Sequence, residues 1–272
     1  MGATPANAVA RLGRHVFLAL FASFLALPLV IVAGVSFNDS RRMRFPPAQW
    51  SIRWYVDFLH DPAWMGALRS SLLIGLCAAL LAASVALPIC YFEWKYRLRV
   101  ARALNTLGRV PFMLPPVVLA VVFLVFWSLV GHVGRMEDVV IAHAVVFLQL
   151  PLAAMMLGFH SIDRTLVEAA QTLGARDADI FRTIVLPIVT PYIVSGMLFV
   201  CLLSLNEYII AQMVVGFAIE TLPIKIFNSL RAGFSPAMCV GAVLFMLAGL
   251  FGYTVIALIS DLPRLLGSEA RR

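Results

Sequence analysis

Long apolar runs separated by short polar segments constrain this chain more than any other feature of its sequence. Of its 272 residues, 62% are hydrophobic and only 13% are charged, and the charged residues cluster between the apolar runs. A backbone inside a bilayer must satisfy its own hydrogen bonds, and a helix of about 20 residues does so while crossing the hydrocarbon core. The sequence therefore predicts an all-α integral membrane protein.

Six of the apolar runs are long enough to cross a bilayer, and together they predict a single transmembrane domain over residues 1–272. The first run stands where a signal peptide would, but its apolar length exceeds that of a typical signal-peptide core, so it is counted as a span. An even number of spans places both termini on one side of the membrane. The predicted spans cover approximately residues 15–37, 67–92, 110–130, 139–160, 191–214 and 236–260.

The distribution of basic residues predicts the orientation, because cytoplasmic loops of membrane proteins carry an excess of Lys and Arg. Residues 93–109 contain five basic residues against one acid, although residues 41–53 carry four basic residues as an opposing signal. The short loop 93–109 adjoins two spans and therefore outweighs the other segment. We expect both termini and residues 161–187 on the cytoplasmic side and residues 38–66 on the opposite side. The net charge of +7 then reflects topology and not nucleic acid binding.

The motifs that indicate catalysis or metal binding are not found in this sequence. The four cysteines lie in apolar runs without a metal-ligand spacing, which is typical of small buried hydrophobic residues. There is no HExxH, no GxSxG and no Walker A loop. We therefore expect a subunit with no catalytic residue, no metal site and no cofactor of its own, so that any ATP chemistry must come from a partner.

The stretch 161–187 is a polar interruption that reads as two short helices joined at a glycine. Thr165 can cap the first helix, with Glu168 at the capping-box spacing, and Gly174 stands where that helix must stop. Carboxylates in the first turn of the second helix suit its positive end. A polar hairpin with an apolar side, held between two spans, indicates a docking element for another protein. That apolar side is predicted to comprise Leu173, Ile180, Phe181, Ile184 and Val185.

The fixed positions of this hairpin resemble the EAA loop of binding-protein-dependent ABC-importer permeases. A bare Glu-Ala-Ala would be a weak signal, and an ordinary capped hairpin explains the caps and the glycine but not the full spacing within a six-span chain. The resemblance implies the type I importer permease fold, with residues 161–187 as the hairpin that couples the spans to an ATPase. The matching positions are Glu168, Ala169, Ala170, Gly174, Ile184, Leu186 and Pro187.

The resemblance extends across nearly the whole chain, including the Arg53-Trp54-Tyr55 segment, the SLNEY stretch and the TLPIKIFNSLRAGFSP stretch. Within the family it is strongest to the second permease subunit of spermidine/putrescine-type importers. That branch often has two acids where Asn206 and Glu207 stand here, and the neutral Asn206 departs from it. The substrate expected from the resemblance is therefore a polyamine, with a related amine-bearing solute such as an opine, or a sugar, as alternatives.

Glu207 is the clearest ionisable residue inside a predicted span, and such residues are functional candidates by default. A cationic amine could supply its missing opposite charge, with Asn206 adding a neutral hydrogen bond, so both are predicted in the substrate pathway. The alternatives are that the span ends early and Glu207 meets headgroup water, or that an arginine pairs with it. For His143 and Gln149, interhelical hydrogen bonding and packing are favoured over substrate contact.

The partners implied by the resemblance are a homologous permease subunit, a cytoplasmic ABC ATPase dimer that binds ATP and Mg, and a periplasmic binding protein. The expected location is the inner membrane, with lipid around the spans. Two other functional classes were weighed against this interpretation. A secondary transporter would make the EAA spacing a coincidence, and a membrane-embedded enzyme would need a catalytic cluster that the sequence does not show.

Overall fold

The computed structural model describes residues 5–216 and 218–259, and every regular element within them is a helix. The predicted end of the last span at residue 260 and the residues after it lie outside the described residues. The helices are α1 (Pro5–Ser36), α2 (Arg53–His60), α3 (Pro62–Tyr96), α4 (Arg99–Leu107), α5 (Val110–Met113), α6 (Pro116–Val130), α7 (Met136–Val146), α8 (Gln149–His160), α9 (Arg164–Thr172), α10 (Asp177–Ile180), α11 (Leu186–Asn206), α12 (Ile209–Val215), α13 (Leu222–Ala232) and α14 (Pro236–Ile259).

Four continuous helical segments are long and apolar enough to cross a membrane: Arg11–Ser36, Pro62–Tyr96, Asp177–Asn206 and Pro236–Leu258. Two further segments are broken, since the axis bends by 109° between the α4–α5 segment and α6, and by 47° between α7 and α8. The described part of the chain therefore has six apolar spans when each bent pair counts as one. This confirms the predicted all-α membrane fold.

The larger bend follows from the prolines that the sequence places before α6. Proline lacks a backbone N–H and restricts the residue before it to extended conformations, so a helix cannot run through Pro115 and Pro116. Leu114 is accordingly extended, with φ −87° and ψ 149°, and α6 begins at Pro116. The predicted third span therefore has an irregular entry.

The fifth span differs from its predicted extent of residues 191–214. Its helix starts earlier, because α10, a π-helical turn over Phe181–Val185 and α11 form one continuous run, and it ends at Asn206. Glu207 is extended, with φ −77° and ψ 127°, and a separate short helix α12 follows. The chain therefore breaks at the one acid that the sequence places inside this span.

Among the described residues, one compact unit comprises residues 5–62 and 226–244. The loop after α1 closes on itself through an antiparallel bridge between Asn38 and Trp50. The hydroxyl oxygens of Ser36 and Tyr55 lie 2.7 Å apart, which joins the end of α1 to α2. Trp54 and Phe58, four residues apart on α2, are both buried, as the spacing of one helical face requires.

Among the described residues, the other compact unit comprises residues 63–216, 218–225 and 245–259, and it contains both candidate sites. One apolar cluster joins the middle of α3 to α6, α7, α11 and α12, and a second joins the C-terminal end of α3 to α8, the hairpin and the start of α11. Small residues let α8 and α11 approach closely. A Cβ at Gly196 would lie 2.7 Å from Pro151 Cα, and one at Gly158 would lie 2.7 Å from the Tyr192 ring.

Candidate functional site

The first limb of the hairpin, α9, is capped by Asp163 and not by the predicted Thr165. Asp163 Oδ1 accepts a hydrogen bond from the backbone N–H of Thr165 at 2.9 Å, which satisfies one of the unpaired donors at the helix start. This backbone hydrogen bond, with a side-chain one from the same threonine, holds the pKa of Asp163 below its ordinary value of 3.8. The predicted capping box fails because the helix starts at Arg164, which places Thr165 inside its first turn.

Gly174 ends α9 as predicted, with a left-handed φ of +82°. Its N–H donates to the Gln171 carbonyl at 3.0 Å, and the N–H of Ala175 donates to the Ala170 carbonyl at 3.0 Å. These two bonds form the Schellman arrangement, in which glycine supplies the left-handed residue at little steric cost. The turn between the two limbs is therefore defined by backbone hydrogen bonds.

The second limb of the hairpin consists of α10 and the π-helical turn Phe181–Val185. It carries four of the five residues predicted on the apolar side. Ile180 and Val185 are buried in the cluster that contains Ala86 and Phe159, as the sequence predicted. Leu173 was placed on the same apolar side, which is wrong: 89% of its surface is exposed. It is the last residue before the left-handed turn, so it lies outside the packed limb.

The EAA positions are largely on the surface of the hairpin. Glu168, Ala169, Gly174 and Pro187 are exposed, whereas Ala170, Ile184 and Leu186 are half-buried. Beside Glu168 lies a cavity of about 220 Å³ between α9, the second limb and the C-terminal end of α3. An ordered, capped and exposed ridge of this kind can bind another protein, although nothing within the described chain requires glutamate at position 168.

Contacts between the hairpin and the end of α3 could not be derived from the sequence. Lys95 Nζ lies 2.7 Å from Asp177 Oδ2, and the rings of Tyr91 and Phe181 meet edge to face with centroids 5.0 Å apart. Lys95 contributed to the sequence analysis only as one basic residue of the loop 93–109. The only signal for the pairing was its opposite charge to Asp177, and many other pairs would satisfy that criterion equally well.

The second candidate site is the helix break at Glu207. Its carboxylate accepts hydrogen bonds from two backbone N–H groups at the start of α12, that of Ile210 to Oε1 at 2.8 Å and that of Ala211 to Oε2 at 2.9 Å. These donors would otherwise be unsatisfied at a helix start. Glu207 therefore ends one helix and caps the next.

His143 is the side-chain partner of Glu207, and both are largely buried, with 1% and 10% of their side-chain surfaces exposed. His143 Nε2 lies 3.2 Å from Glu207 Oε2, and His143 Nδ1 lies 2.7 Å from Ser204 Oγ. An ionised carboxylate can only accept, so Nε2–H donates to it, and the Nδ1 of a neutral ring accepts from the serine hydroxyl. The three side chains form one hydrogen-bonded chain between α7 and the end of α11.

Asn206 does not join this network. Its side-chain amide donates to the Leu202 carbonyl one turn earlier in α11, at 2.8 Å, and the residue is exposed. The two residues predicted in the substrate pathway are thus adjacent in sequence, but Asn206 is exposed and Glu207 is largely buried. His143, for which the sequence favours interhelical hydrogen bonding and packing, is the side-chain partner of Glu207 instead of an arginine.

Residues 75–263 match the family of inner membrane components of binding-protein-dependent transport systems. The chain belongs to this family. The chain is 32% identical to the putrescine transport system permease protein PotI of Escherichia coli K12 over 88% of each sequence. It is 28% identical to the spermidine/putrescine transport system permease protein PotC of Haemophilus influenzae over 82% of this chain and 86% of the other.

A solved structure shares the fold of these transport components. It is the crystal structure of a bacterial ABC transporter for the import of the acidic polysaccharide alginate, with a TM-score of 0.72 over 94% of this chain and 98% of the other, at 17% identity. The family and fold expected from the EAA spacing are therefore confirmed. This binding-protein-dependent permease is a multi-pass inner membrane protein and a transport component.

Proposed function

We propose that this permease is the membrane subunit of an ATP-driven importer for a polyamine or a related amine-bearing solute. Support for the substrate class comes from the similarity to permeases of putrescine and of spermidine/putrescine transport, which covers more than four fifths of the chain. Glu207 at a helix break adds a negative charge, which suits a cationic solute.

The observation that carries the coupling role is the hairpin itself. Its turn is fixed by the Schellman hydrogen bonds, and its EAA positions Glu168, Ala169, Gly174 and Pro187 remain exposed. In the proposed assembly, this surface binds a cytoplasmic ABC ATPase that is present in two copies and binds ATP and Mg. A homologous permease subunit completes the membrane part, and a periplasmic binding protein delivers the solute. ATP hydrolysis takes place in the ATPase, and this chain transmits the movement.

Asn206 and Glu207 are proposed to form part of the substrate pathway. Asn206 is exposed and can offer its amide oxygen, because only its Nδ2 is engaged with Leu202. The carboxylate of the next residue, Glu207, is held by two backbone donors and His143. Broken helices at membrane depth are tolerated where they line a cavity, and the break at this position is consistent with such a lining.

The proposed orientation places both termini and residues 161–187 in the cytoplasm, and residues 38–66 in the periplasm. Cysteine labelling in intact cells tests it, in a variant whose four native cysteines are replaced. Asp177→Cys should react only after the membrane is permeabilised, whereas Trp50→Cys should react from outside. Labelling of position 177 by an impermeant reagent in intact cells would contradict the orientation.

The decisive experiment is uptake of putrescine into vesicles that contain the complete transporter, with ATP hydrolysis measured in the same preparation. Glu168→Lys should insert normally but lose the stimulation of ATP hydrolysis by the loaded binding protein. Glu207→Gln keeps the shape of the side chain and removes its charge, so it should reduce putrescine uptake far more than basal ATP hydrolysis. A complex that hydrolyses ATP but takes up no polyamine would refute the substrate class, and unchanged uptake by Glu207→Gln would remove Glu207 from the pathway.

A further inference from the structure

The C-terminal turn of α3 holds the start of the continuous helix Asp177–Asn206 through one carboxylate. Asp177 Oδ2 lies 2.7 Å from Lys95 Nζ, and the Tyr96 hydroxyl donates to the same oxygen at 3.4 Å. The Lys95 side chain is largely buried, with 16% of its surface exposed, although 58% of the Asp177 side chain is exposed. Two donors on adjacent residues of α3 thus converge on a single oxygen of the hairpin.

Lys95 is held in place by aromatic rings, unlike an ordinary surface lysine. Its Nζ lies 5.2 Å from the centroid of the Tyr96 ring and 5.7 Å from that of Tyr91. Such cation–π contacts attract the ammonium group and restrict its positions. An exposed ion pair contributes little partly because two long side chains must be ordered to form it. Here much of that ordering is already provided by α3.

Apolar contacts beside the ion pair join the same two segments. The Tyr91 ring packs edge to face on Phe181, and Ile180 and Val185 lie in one buried cluster with Ala86 and Cys90 of α3. The contact between α3 and the second limb therefore combines apolar packing with the Lys95–Asp177 ion pair, which links the first residue of the limb to the end of α3.

The course of the chain makes this lateral contact mechanically important. Asp177 is the first residue of the helical run to Asn206, so a displacement of the hairpin passes directly along the backbone into α11. The chain between Tyr96 and Asp177 runs through bends of 109° and 47° and cannot act as a stiff connection back to α3. A side-by-side contact between the hairpin and α3 can pass the same displacement to α3 directly.

We propose that Lys95 is a positioning residue that makes α3 move together with the hairpin and α11 during transport. The inference rests on the proposed function of the hairpin as the element that binds the ATPase. It adds a second route by which the movement of the hairpin reaches the membrane spans, through Asp177 and Lys95 and not along the backbone.

The experiment measures putrescine uptake per ATP hydrolysed in vesicles that contain the complete transporter. Lys95→Met keeps the length of the side chain and removes its charge, and Asp177→Asn removes the opposite charge. Each should lower the ratio by about two- to fivefold, the range expected for a partly exposed ion pair. The double variant should lower the ratio no further than either single variant, because both remove the same contact. Lys95→Arg should retain most of the ratio.

Lys225→Met is the matched control. Lys225 also has an ion pair, with Glu220 at 3.0 Å, and an aromatic contact, 5.8 Å from the Trp64 ring, but it does not touch the hairpin. This variant should keep the wild-type ratio. A loss of equal size in Lys225→Met would show that removing any such lysine impairs the transporter, and the inference would be wrong.

The remaining outcomes distinguish a failure of this inference from a failure of the proposed function. If Lys95→Met keeps the wild-type ratio while Glu168→Lys loses it, only the role of Lys95 is refuted. If the losses of Lys95→Met and Asp177→Asn multiply in the double variant, the two residues act independently and the inference is again wrong. If neither Glu168→Lys nor Lys95→Met changes the ratio, the hairpin itself is not the coupling element. Should putrescine not be taken up at all, stimulation of ATP hydrolysis by the binding protein replaces uptake as the readout.

Discussion

The hairpin 161–187 and the helix break at Glu207 are the two polar interruptions for which the sequence indicates function, and they satisfy their polar groups differently. At the break, the Glu207 carboxylate is largely buried and accepts from two backbone N–H groups and His143. On the hairpin, Glu168 is exposed, and the Asp163 cap and the backbone bonds at Gly174 define the two ends of the first limb. The Glu207 carboxylate finds its hydrogen-bond partners within the chain, whereas the hairpin leaves Glu168 exposed to solvent.

This difference distinguishes residues that the chain needs for its own stability from residues that act only in the assembled transporter. Removing a member of the buried network leaves a charge or a polar atom without its partner, which costs folding free energy. Changing an exposed EAA side chain such as that of Glu168 alters little within the chain, so its effect must arise in the assembled transporter. Substitutions that leave a buried group of the Glu207 network without its partner should therefore reduce stability, whereas substitutions of exposed hairpin side chains should reduce coupling.

The largest effect on stability is expected from His143→Ala. Glu207 then loses its only described side-chain partner while it remains largely buried, and we expect a loss of about 3 kcal/mol, because a buried charged group is left without one of its hydrogen-bond donors. Thermal unfolding of the purified protein in detergent measures it. Adding Glu207→Gln to His143→Ala should restore part of the loss, because no uncompensated charge remains. If the double variant is less stable than His143→Ala, the loss comes from the cavity and not from the charge.

A smaller loss of about 1–2 kcal/mol is expected from Gly174→Val, because a β-branched residue must adopt a left-handed conformation. The cost is purely conformational, since nothing lies within 4 Å of the added Cβ. Gly131→Val is the matched control, because Gly131 also has a positive φ, +72°, and open space around it. Both variants should lose similar stability, measured by thermal unfolding, but only Gly174→Val should lose ATP hydrolysis stimulated by the binding protein. Equal loss of stimulation in both would remove the distinction between the two regions.

Leu173→Ala should change the free energy of unfolding by no more than about 0.5 kcal/mol, because the side chain is 89% exposed. Its stimulated ATP hydrolysis should nevertheless fall, since an exposed leucine beside Gly174 is available to a docked partner. Leu152→Ala, at a fully buried position in α8, serves as the control for the sensitivity of the unfolding measurement and should lose far more stability. A destabilisation of Leu173→Ala comparable with that of Leu152→Ala would show that the Leu173 side chain packs against another part of the isolated chain.

The smallest effect is a pH dependence confined to acid. Because the folded pKa of Asp163 lies below 3.8, its cap stabilises α9 fully above that pH, and the stabilisation is lost as the pH falls through the lowered folded pKa. Amide hydrogen exchange of Thr165 should therefore accelerate below pH 3.8. Asp163→Asn keeps a good capping residue that does not titrate, so its exchange should lack this additional acid dependence. The same acceleration in Asp163→Asn would assign the effect to another group.

Much of the hairpin could be predicted because its determinants are local. Gly174 stands at the left-handed turn, and the residues that form the Schellman bonds lie within five positions of one another. The error at the cap has a local cause as well: Asp163 and Thr165 both prefer N-cap positions, and the sequence does not say which of them the helix start selects. The exposure of Leu173 depends on the direction that the turn gives to the second limb.

The Glu207 site could be predicted only in part. The sequence identified an acid inside an apolar run as important, yet no glycine or proline marks a break there, and the span was extended to residue 214. The break follows from the carboxylate capping α12 and from His143, which is 64 residues away along the chain. The Tyr96–Asp177 contact spans 81 residues in the same way.

The sequence by itself determined the all-α membrane class, the family and the position of the hairpin, because apolar run length and the spacing of the EAA residues are properties of continuous segments. The pairs His143–Glu207 and Lys95–Asp177 were decided only by the tertiary structure. Their residues lie on segments brought together by the bends between α4 and α8 and by the close packing of α8 on α11 at Gly158 and Gly196. Hydrophobic periodicity states which face of a helix is buried, but it does not specify which side chain of another helix will meet a buried charge.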